Sequence, residues 1–242
     1  MLGFLYKIFR LNWLKLLLIF IAMSFYPLGM TALLYFDSSG LTDGISIMIN
    51  AVVGFLAFLI GGFGEDSIFN GDEQKKWAYY VASAPAGIKR QLGAKYLFTV
   101  MWAMLTFALL ALCNVAVRSK NGGSTDVYFV LLGLFCAQLY VRSLEFPLMV
   151  RFGGKNGKTV KIVIIGVILF VLFVYALFGD ASAFNDMPSF WDTLFSTLSD
   201  PEKRKKLKMC FGVLCAASVP IYWLSYRLSV KWYIKGTENY VK

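Results

Sequence analysis

The stretch FGGKNGKT at residues 152–159 comes closest to a chemical motif in this sequence. A phosphate-binding loop requires the pattern GxxxxGK[ST], in which glycines let backbone amides close around the phosphates. Position 152 is phenylalanine, and only three residues separate Gly153 from Gly157, so the pattern fails. The stretch also lies between two apolar segments rather than between a strand and a helix. We predict a glycine-rich turn that suits contact with anionic lipid or a protein partner. Its charge comes from Arg151, Lys155, Lys158 and Lys161.

Histidine is absent from the whole chain. Its absence excludes His-ligated haem, HExxH zinc sites and Ser-His-Asp triads. The cysteines lie within apolar segments and form no CxxC pair, so we interpret them as small buried side chains rather than redox or metal ligands. They are Cys113, Cys136, Cys210 and Cys215. The sequence therefore predicts a chain that is not an enzyme and that binds no cofactor or metal.

Arg142 and Glu145 are charged residues inside an apolar segment, where an unpaired charge is costly. Three positions apart, they are neighbours on a helix surface and can neutralise one another. Pro147 follows them and is expected to bend or fray the helix near its cytoplasmic end. Two interpretations remain open: a hinge or gate at the inner mouth, or a structural ion pair near the membrane interface.

Apolar helices must position these residues. The hydrophobic fraction of 58% and the mean hydropathy of +0.64 are well above those of soluble domains. Several runs of about 18 or more mostly apolar residues can each cross a bilayer core of about 30 Å. We predict an all-α integral membrane protein with a single transmembrane domain over residues 1–242. Its six transmembrane helices are placed at about 16–36, 45–63, 95–117, 127–149, 162–179 and 209–226.

Two segments outside these spans are also expected to be helical. Residues 1–15 mix cations with aromatic and aliphatic side chains, which is typical of an interfacial helix lying on the membrane. The alternative is that they extend the first span. The predicted external segment at 180–208 contains PSFWDTLFSTLSD, whose apolar residues recur at helical spacing.

The formal net charge of +10 indicates orientation rather than nucleic-acid binding, because Lys and Arg accumulate on the cytoplasmic side of membrane proteins. With the N-terminus inside, 16 Lys and Arg residues fall in the cytoplasmic pieces and seven in the external ones. Both termini are therefore predicted to be cytoplasmic. The cluster EKRKKLK at residues 202–208 opposes this orientation, and we interpret it as a helical overhang whose lysines reach lipid head groups.

A polar run at residues 64–97 joins two apolar segments, so it must lie in water on one side of the membrane. Asn70 followed by Glu73 resembles a capping arrangement, and Trp77 and Tyr80 begin an apolar helical face. Pro85 ends this helix and can open the next. In one interpretation, the two aromatic residues anchor the loop at the head-group level. In the other, the helix docks into a soluble subunit that moves it.

The residue types in this loop follow one order: an acidic pair, Trp and Tyr, Ser-x-Pro, a basic pair and Lys-Tyr. Here they are Asp72-Glu73, Trp77, Tyr80, Ser83-Ala84-Pro85, Lys89-Arg90 and Lys95-Tyr96. This order resembles ABC-2 type transporter permeases, in particular the small bacterial six-span permeases that work with a separate ATPase. In that family, the loop between spans 2 and 3, here 64–94, carries a coupling helix seated in a groove of the ATPase. The resemblance implies that ATPase coupling falls on Asp72, Glu73, Trp77, Tyr80, Ser83, Pro85, Lys89 and Arg90.

The resemblance implies a membrane-spanning permease subunit of an ATP-driven ABC exporter in the bacterial cell membrane. Such a subunit pairs with a second permease copy or paralogue and with ATPase subunits, which hold the ATP and Mg²⁺. The spans lack a ladder of buried acids, which argues against ion coupling and suits amphipathic or hydrophobic cargo, whether peptide, antibiotic or lipid-like. Two alternatives remain open. One is a non-transport scaffold, immunity or assembly protein, and the other is an ion-coupled secondary carrier.

Overall fold

The computed structural model describes residues 2–36, 43–74, 87–121, 126–178 and 201–238. Within these ranges the chain forms six helices and no strand, which confirms the all-α prediction for the described residues. In chain order they are α1 (Leu2–Phe36), α2 (Asp43–Gln74), α3 (Gly87–Asn121), α4 (Asp126–Phe152), α5 (Gly154–Phe178) and α6 (Pro201–Glu238). The predicted external segment at 180–208 lies largely outside the described residues, and its last part, 201–208, begins α6.

Four stretches of the described helices are long and apolar enough to cross a membrane. They are Leu2–Ala32, Gly87–Ser119, Val127–Phe152 and Phe211–Lys235. A shorter apolar stretch, Ile49–Glu65, lies within α2. These helices support a membrane location, while the six-span arrangement stays a prediction. The predicted spans at 45–63 and 162–179 fall on α2 and α5.

The predicted interfacial segment at 1–15 and the first predicted span lie on one uninterrupted helix, α1. Leu5 and Ile8 are buried in the same cluster as Leu16, where they pack against residues of α2 and α3. No helix-breaking proline separates the two parts, because Pro27 lies further along. The structure therefore agrees with an extension of the first span, and a separate interfacial helix is not confirmed.

Helices α1 to α4 share one apolar core. Each contributes a fully buried side chain, namely Met23, Ala57, Ala103 and Leu131. Trp102 of α3 crosses to α2 and donates its indole N–H to the carbonyl oxygen of Gly61 at 3.0 Å. Close packing of small residues with polar contacts of this kind is the usual way in which membrane helices associate. Helix α6 completes the bundle by packing along α4 and α3.

The glycine-rich stretch forms the tight turn between α4 and α5. Gly153 has a φ of 85°, a left-handed conformation that glycine adopts at little cost. Its carbonyl oxygen accepts the N–H of Gly157 at 2.7 Å. A Cβ atom on Gly157 would lie 2.6 Å from the Cα atom of Met149. Both glycines are therefore required by a helix-to-helix turn, and Arg151 beside it is exposed.

Candidate functional site

Helices α2, α4 and α5 bring four charged side chains together at one end of the bundle. Glu65 lies near the end of the apolar stretch of α2. Arg142 and Glu145 are one turn apart on α4, and Lys161 lies in the first half of α5. All of these positions are on the side of the bundle that holds the α4–α5 turn. We call Glu65, Arg142, Glu145 and Lys161 the charge network.

Arg142 is the centre of the charge network. Its Nε atom lies 2.5 Å from Oε2 of Glu65, and its Nη1 atom lies 2.5 Å from Oε2 of Glu145. Its Nη2 atom donates to the carbonyl oxygen of Gly62 at 2.8 Å. The planar guanidinium therefore contacts two carboxylates and one backbone carbonyl, a geometry that lysine cannot reproduce.

Two further contacts complete the arrangement. Lys161 places its Nζ atom 2.7 Å from Oε1 of Glu145, so this carboxylate is shared between two cations. Gln138 directs its amide nitrogen to the Glu65 carboxylate at 3.3 and 3.4 Å. The four charges sum to zero, and each carboxylate has more than one partner.

The charge network is almost completely shielded from solvent. The exposed fraction is 1% for Glu65, 0% for Glu145 and 6% for Arg142, whereas the Lys161 side chain is 20% exposed. Burying ions is costly, and their mutual attraction offsets that cost only when the geometry is good and the remaining polar atoms are satisfied. The ion pairs join α2 to α4 and α4 to α5, so the network connects these three helices.

Gly62 provides the space that the Arg142 guanidinium occupies. A Cβ atom at this position would lie 2.5 Å from Nη2 of Arg142. Any side chain at position 62 would therefore displace the guanidinium from the Gly62 carbonyl. The site therefore depends on a glycine at position 62 as well as on four charged side chains.

A second polar cluster joins α3, α4 and α6 at the same end of the bundle. The Tyr96 hydroxyl lies 2.8 Å from Oγ of Ser225 and 2.7 Å from Oγ of Ser229. Ser225 donates to the carbonyl oxygen of Ser143 at 2.6 Å. Since a serine has a single hydroxyl proton, Tyr96 must donate to Ser225 and Ser229 to Tyr96. We call Tyr96, Ser143, Ser225 and Ser229 the hydroxyl chain.

Pro147 explains why the hydroxyl chain ends at Ser143. Proline lacks the N–H that would otherwise bond the carbonyl four residues earlier, and here that carbonyl belongs to Ser143. Ser225 from α6 supplies the missing donor, as neighbouring helices often do for prolines in membrane helices. Helix α4 continues past Pro147 to Phe152, so the proline does not end it.

Aromatic packing surrounds the hydroxyl chain. The Tyr96 ring meets the rings of Phe146, Tyr222 and Tyr226 edge to face, with centroids 5.0, 5.1 and 5.4 Å away. The Tyr222 hydroxyl also donates to the Tyr96 carbonyl oxygen at 2.9 Å. These contacts hold α6 against α3 and α4.

We expect Tyr96→Phe to lower the free energy of unfolding by about 1–3 kcal/mol, because it removes two buried hydrogen bonds and leaves the Ser229 hydroxyl without its acceptor. Thermal unfolding of the detergent-solubilised chain measures this loss. Tyr226→Phe is the matched control, since its hydroxyl makes a longer bond of 3.2 Å to the Lys89 carbonyl at an exposed position. Equal stability losses in the two variants would contradict the importance of the hydroxyl chain.

The structure places the sequence-predicted gate residues inside these two clusters. Arg142 and Glu145 form the ion pair that their spacing predicts, and Pro147 is buried beside the hydroxyl chain. Their role as a gate stays a prediction. Sequence reasoning missed Glu65 and Lys161, which were assigned to the polar loop and to the cationic turn. The only sequence signal for a partly buried Lys161 is the run of apolar residues that follows it.

The predicted coupling residues fall on two helix ends and on the segment between them. Asp72 and Glu73 belong to the last turn of α2, and Lys89 and Arg90 are exposed near the start of α3. Trp77, Tyr80, Ser83 and Pro85 lie at 75–86, outside the described residues.

The predicted helix start at Asn70 does not appear in the structure. Residues 70 and 73 lie inside α2, which continues to Gln74. The helix passes beyond its apolar stretch because Ile68 remains buried against α1 and α3 and because no proline interrupts it. Within the described segments, no three carboxylate or thiol side chains converge on a position that could hold a metal ion.

Comparison with protein families gives one match over almost the whole chain. A family model described as ABC-2 family transporter protein matches residues 4–234. Searches among curated proteins and among solved structures gave no significant match. The family match covers both polar clusters and all the predicted coupling residues.

Proposed function

Since the chain belongs to the ABC-2 family of transporter proteins, we propose that it exports amphipathic or hydrophobic cargo from a bacterial cell under the control of a separate ATPase subunit. Membership makes the chain a membrane permease subunit of an ABC transporter, and the family generally implies an ABC ATPase as partner. The cargo class, the outward direction, the coupling helix and a second permease copy or paralogue are parts of the proposal.

The observation that carries the proposal is the position of the two polar clusters relative to residues 75–86. Glu65 of the charge network lies seven residues before Asp72 on α2, and Tyr96 of the hydroxyl chain lies seven residues after Lys89 on α3. At 1.5 Å per residue, each distance is about 10 Å along a helix. Both helices are continuous over these stretches. A push on residues 75–86 would therefore reach both clusters within about three turns.

The two clusters distribute such a push over the bundle. The charge network connects α2 to α4 and α5, and the hydroxyl chain connects α3 to α4 and α6. We propose that closure of the ATPase subunits moves the coupling segment and that α2 and α3 act as levers on these connections. Rocking of packed helices between inward and outward states is an established form of such motion.

The charge network is the proposed inner gate. Its contacts tie the ends of three helices together on the predicted cytoplasmic side, and opening the pathway there requires α2 to separate from α4 or α5. Interfaces of this kind have discrete alternative arrangements rather than a continuous range of shapes. The free energy for the change would come from ATP binding to the partner.

The proposed cargo class is supported by the charged residues within the apolar helices. The described carboxylates within the apolar helices, Glu65 and Glu145, are both neutralised by Arg142 and Lys161. Carriers coupled to an ion gradient usually expose acids along their pathway. An amphipathic or hydrophobic cargo needs no such groups. Export that survives a protonophore but stops on ATP depletion would support this reading, and the reverse would favour an ion-coupled carrier.

The decisive experiment combines Trp77→Ala with Pro85→Ala in the complex of the chain and its ATPase. We expect ATP hydrolysis to continue while cargo export falls about 10-fold or more, as expected when a coupling free energy of about 1–3 kcal/mol is lost. Export into inverted vesicles and phosphate release are measured on the same preparation. Trp13→Ala is the control, because this tryptophan is exposed on α1 and belongs to neither polar cluster.

Two outcomes would overturn the proposal. Normal coupling in the Trp77 and Pro85 double variant would remove the assigned role of this segment. Failure of the tagged wild-type chain to bring down any Walker-bearing protein would favour a scaffold, immunity or assembly protein instead.

A further inference from the structure

The C-terminal third of α6 carries a row of basic residues beside a tryptophan. Trp223, Arg227, Lys231 and Lys235 are spaced four residues apart, and all four side chains are exposed. Residues four apart lie on the same face of a helix, so these side chains form one line about 18 Å long. The Arg227 guanidinium lies 4.4 Å from the centroid of the Trp223 ring. We call these four residues the basic row.

Other elements of the bundle add cations next to the basic row. Arg151, at the end of α4, lies over the ring of Trp232 at 5.0 Å from its centroid, one residue after Lys231. Tyr226 donates to the Lys89 carbonyl oxygen at 3.2 Å, which places the exposed start of α3 beside Arg227. Six cations from three helices therefore border one surface: Lys89, Arg90, Arg151, Arg227, Lys231 and Lys235.

The acidic residues of α6, Glu202 and Glu238, lie outside the basic row, at the two ends of the helix. Residues 203–237 contain no Asp or Glu. Among side chains that the structure describes, the carboxylates of Glu65 and Glu145 are held by the charge network. The surface is therefore strongly positive, and a negatively charged ligand fits it.

Apolar side chains run along the basic row. Leu224 and Leu228 are 58% and 39% exposed, and each follows a member of the row by one residue. A line of cations beside a line of exposed leucines matches a boundary where acyl chains and head groups meet, since Lys and Arg reach head groups from apolar surfaces. Trp and Tyr are enriched at the same boundary, and Tyr222, Trp223, Tyr226 and Trp232 all occur here.

We propose that the basic row and Arg151 bind the head groups of anionic phospholipids, with the lipid chains lying against Leu224 and Leu228. Phosphodiester head groups match the guanidinium and ammonium donors in charge. A soluble protein would contact the water-facing side of the helix end and leave the leucines uncovered. The membrane covers both kinds of side chain at once.

Lipid binding is tested on the purified full-length chain by native mass spectrometry, with phosphatidylglycerol and phosphatidylcholine as probes. We expect the wild type to bind phosphatidylglycerol about 10-fold more tightly than phosphatidylcholine. The triple variant Arg227→Gln, Lys231→Gln and Lys235→Gln should lose this preference, because it removes three of the cations that attract an anionic head group. The matched control removes three other exposed cations, through Arg10→Gln, Lys15→Gln and Arg118→Gln.

A second variant distinguishes an effect of the lost charge from an effect of impaired folding. Arg227→Lys retains the charge, so it should keep most of the preference for phosphatidylglycerol even if it weakens the contact with Trp223. Retention of the preference in the triple glutamine variant would overturn the proposal, and so would an equal loss in the control. Loss of ATPase binding or of self-association in the triple variant, with unchanged lipid preference, would instead assign this surface to a protein partner. None of these measurements involves transport, so they stand apart from the test of the proposed function.

Discussion

The Arg142→Gln variant is expected to be destabilised by about 3–5 kcal/mol. Removing one partner from a buried ion pair leaves the others uncompensated. In this case Glu65 would lose its guanidinium partner, and Glu145 would keep only one of its two cations, Lys161. Thermal unfolding in detergent and the yield of monodisperse protein measure the loss.

A double variant distinguishes the loss of charge pairing from the loss of side-chain packing as the cause of the instability. Glu65→Gln combined with Arg142→Gln leaves Glu145 and Lys161 as a balanced pair, so it should recover a large part of the lost stability. Lys161→Gln should cost less than Arg142→Gln, because the lysine side chain is 20% exposed and reaches water. Equal stability of the wild type and the Arg142 single variant would contradict the description of the network as a set of mutually dependent charges.

The recovered double variant also tests the gate. If the network holds the inner ends of the spans together, the folded double variant should hydrolyse ATP with its partner but export poorly, since the closed inner state has lost part of its stabilisation. Unaltered export in a folded double variant would leave the network with a structural role alone.

The second large effect is expected at Gly157. A Cβ atom there would lie 2.6 and 2.7 Å from the Cα and N atoms of Met149, and 2.8 Å from the Leu148 carbonyl oxygen. These are backbone atoms, so no side-chain rotation can relieve the contacts, and α5 must move away from α4. Overpacking of this kind costs about 1–3 kcal/mol. We therefore expect Gly157→Ala to unfold at lower temperature and denaturant concentration.

Gly166→Ala is the matched control on the same helix. No atom lies within 4 Å of a Cβ built at Gly166, and alanine is favoured over glycine inside a helix by about 1 kcal/mol. The control should be neutral or stabilised, whereas Gly157→Ala should be destabilised. Gly157 and Lys161 are four residues apart and share one face of α5, so the displacement should also pull Lys161 from Glu145. Identical behaviour of the two alanine variants would contradict the close approach of α4 and α5.

Local spacing in the sequence was sufficient for some parts of the site. The three-residue interval between Arg142 and Glu145 predicts their contact because both lie on one helix. The short interval between Gly153 and Gly157 excluded a phosphate-binding loop and indicated the turn that the structure shows. Both predictions depended on residues that are neighbours within a single turn or a single helix.

Other parts of the site depend on which helices are adjacent, and one sequence does not contain that information. Glu65 meets Arg142 from 77 positions away, and it was assigned to the polar loop because the apolar run ends just before it. Tyr96 lies more than 120 positions from Ser225 and Ser229. In the sequence, Ser225 and Ser229 are isolated polar residues in an apolar segment. Their contact with Tyr96 becomes evident only when α6 is packed against α3.

The balance of the charge network bears on how the transporter responds to membrane voltage. A single elementary charge that crosses the full membrane potential exchanges about 2.3 kcal/mol per 100 mV. The four charges sum to zero, and a separation of α2 from α4 or α5 within the plane of the membrane moves none of them along the field. Opening of such a gate would move no net charge across the membrane. The free-energy barrier to opening would therefore be the same in energised and in de-energised membranes. The timing of each cycle would then depend on nucleotide occupancy rather than on the electrical state of the cell.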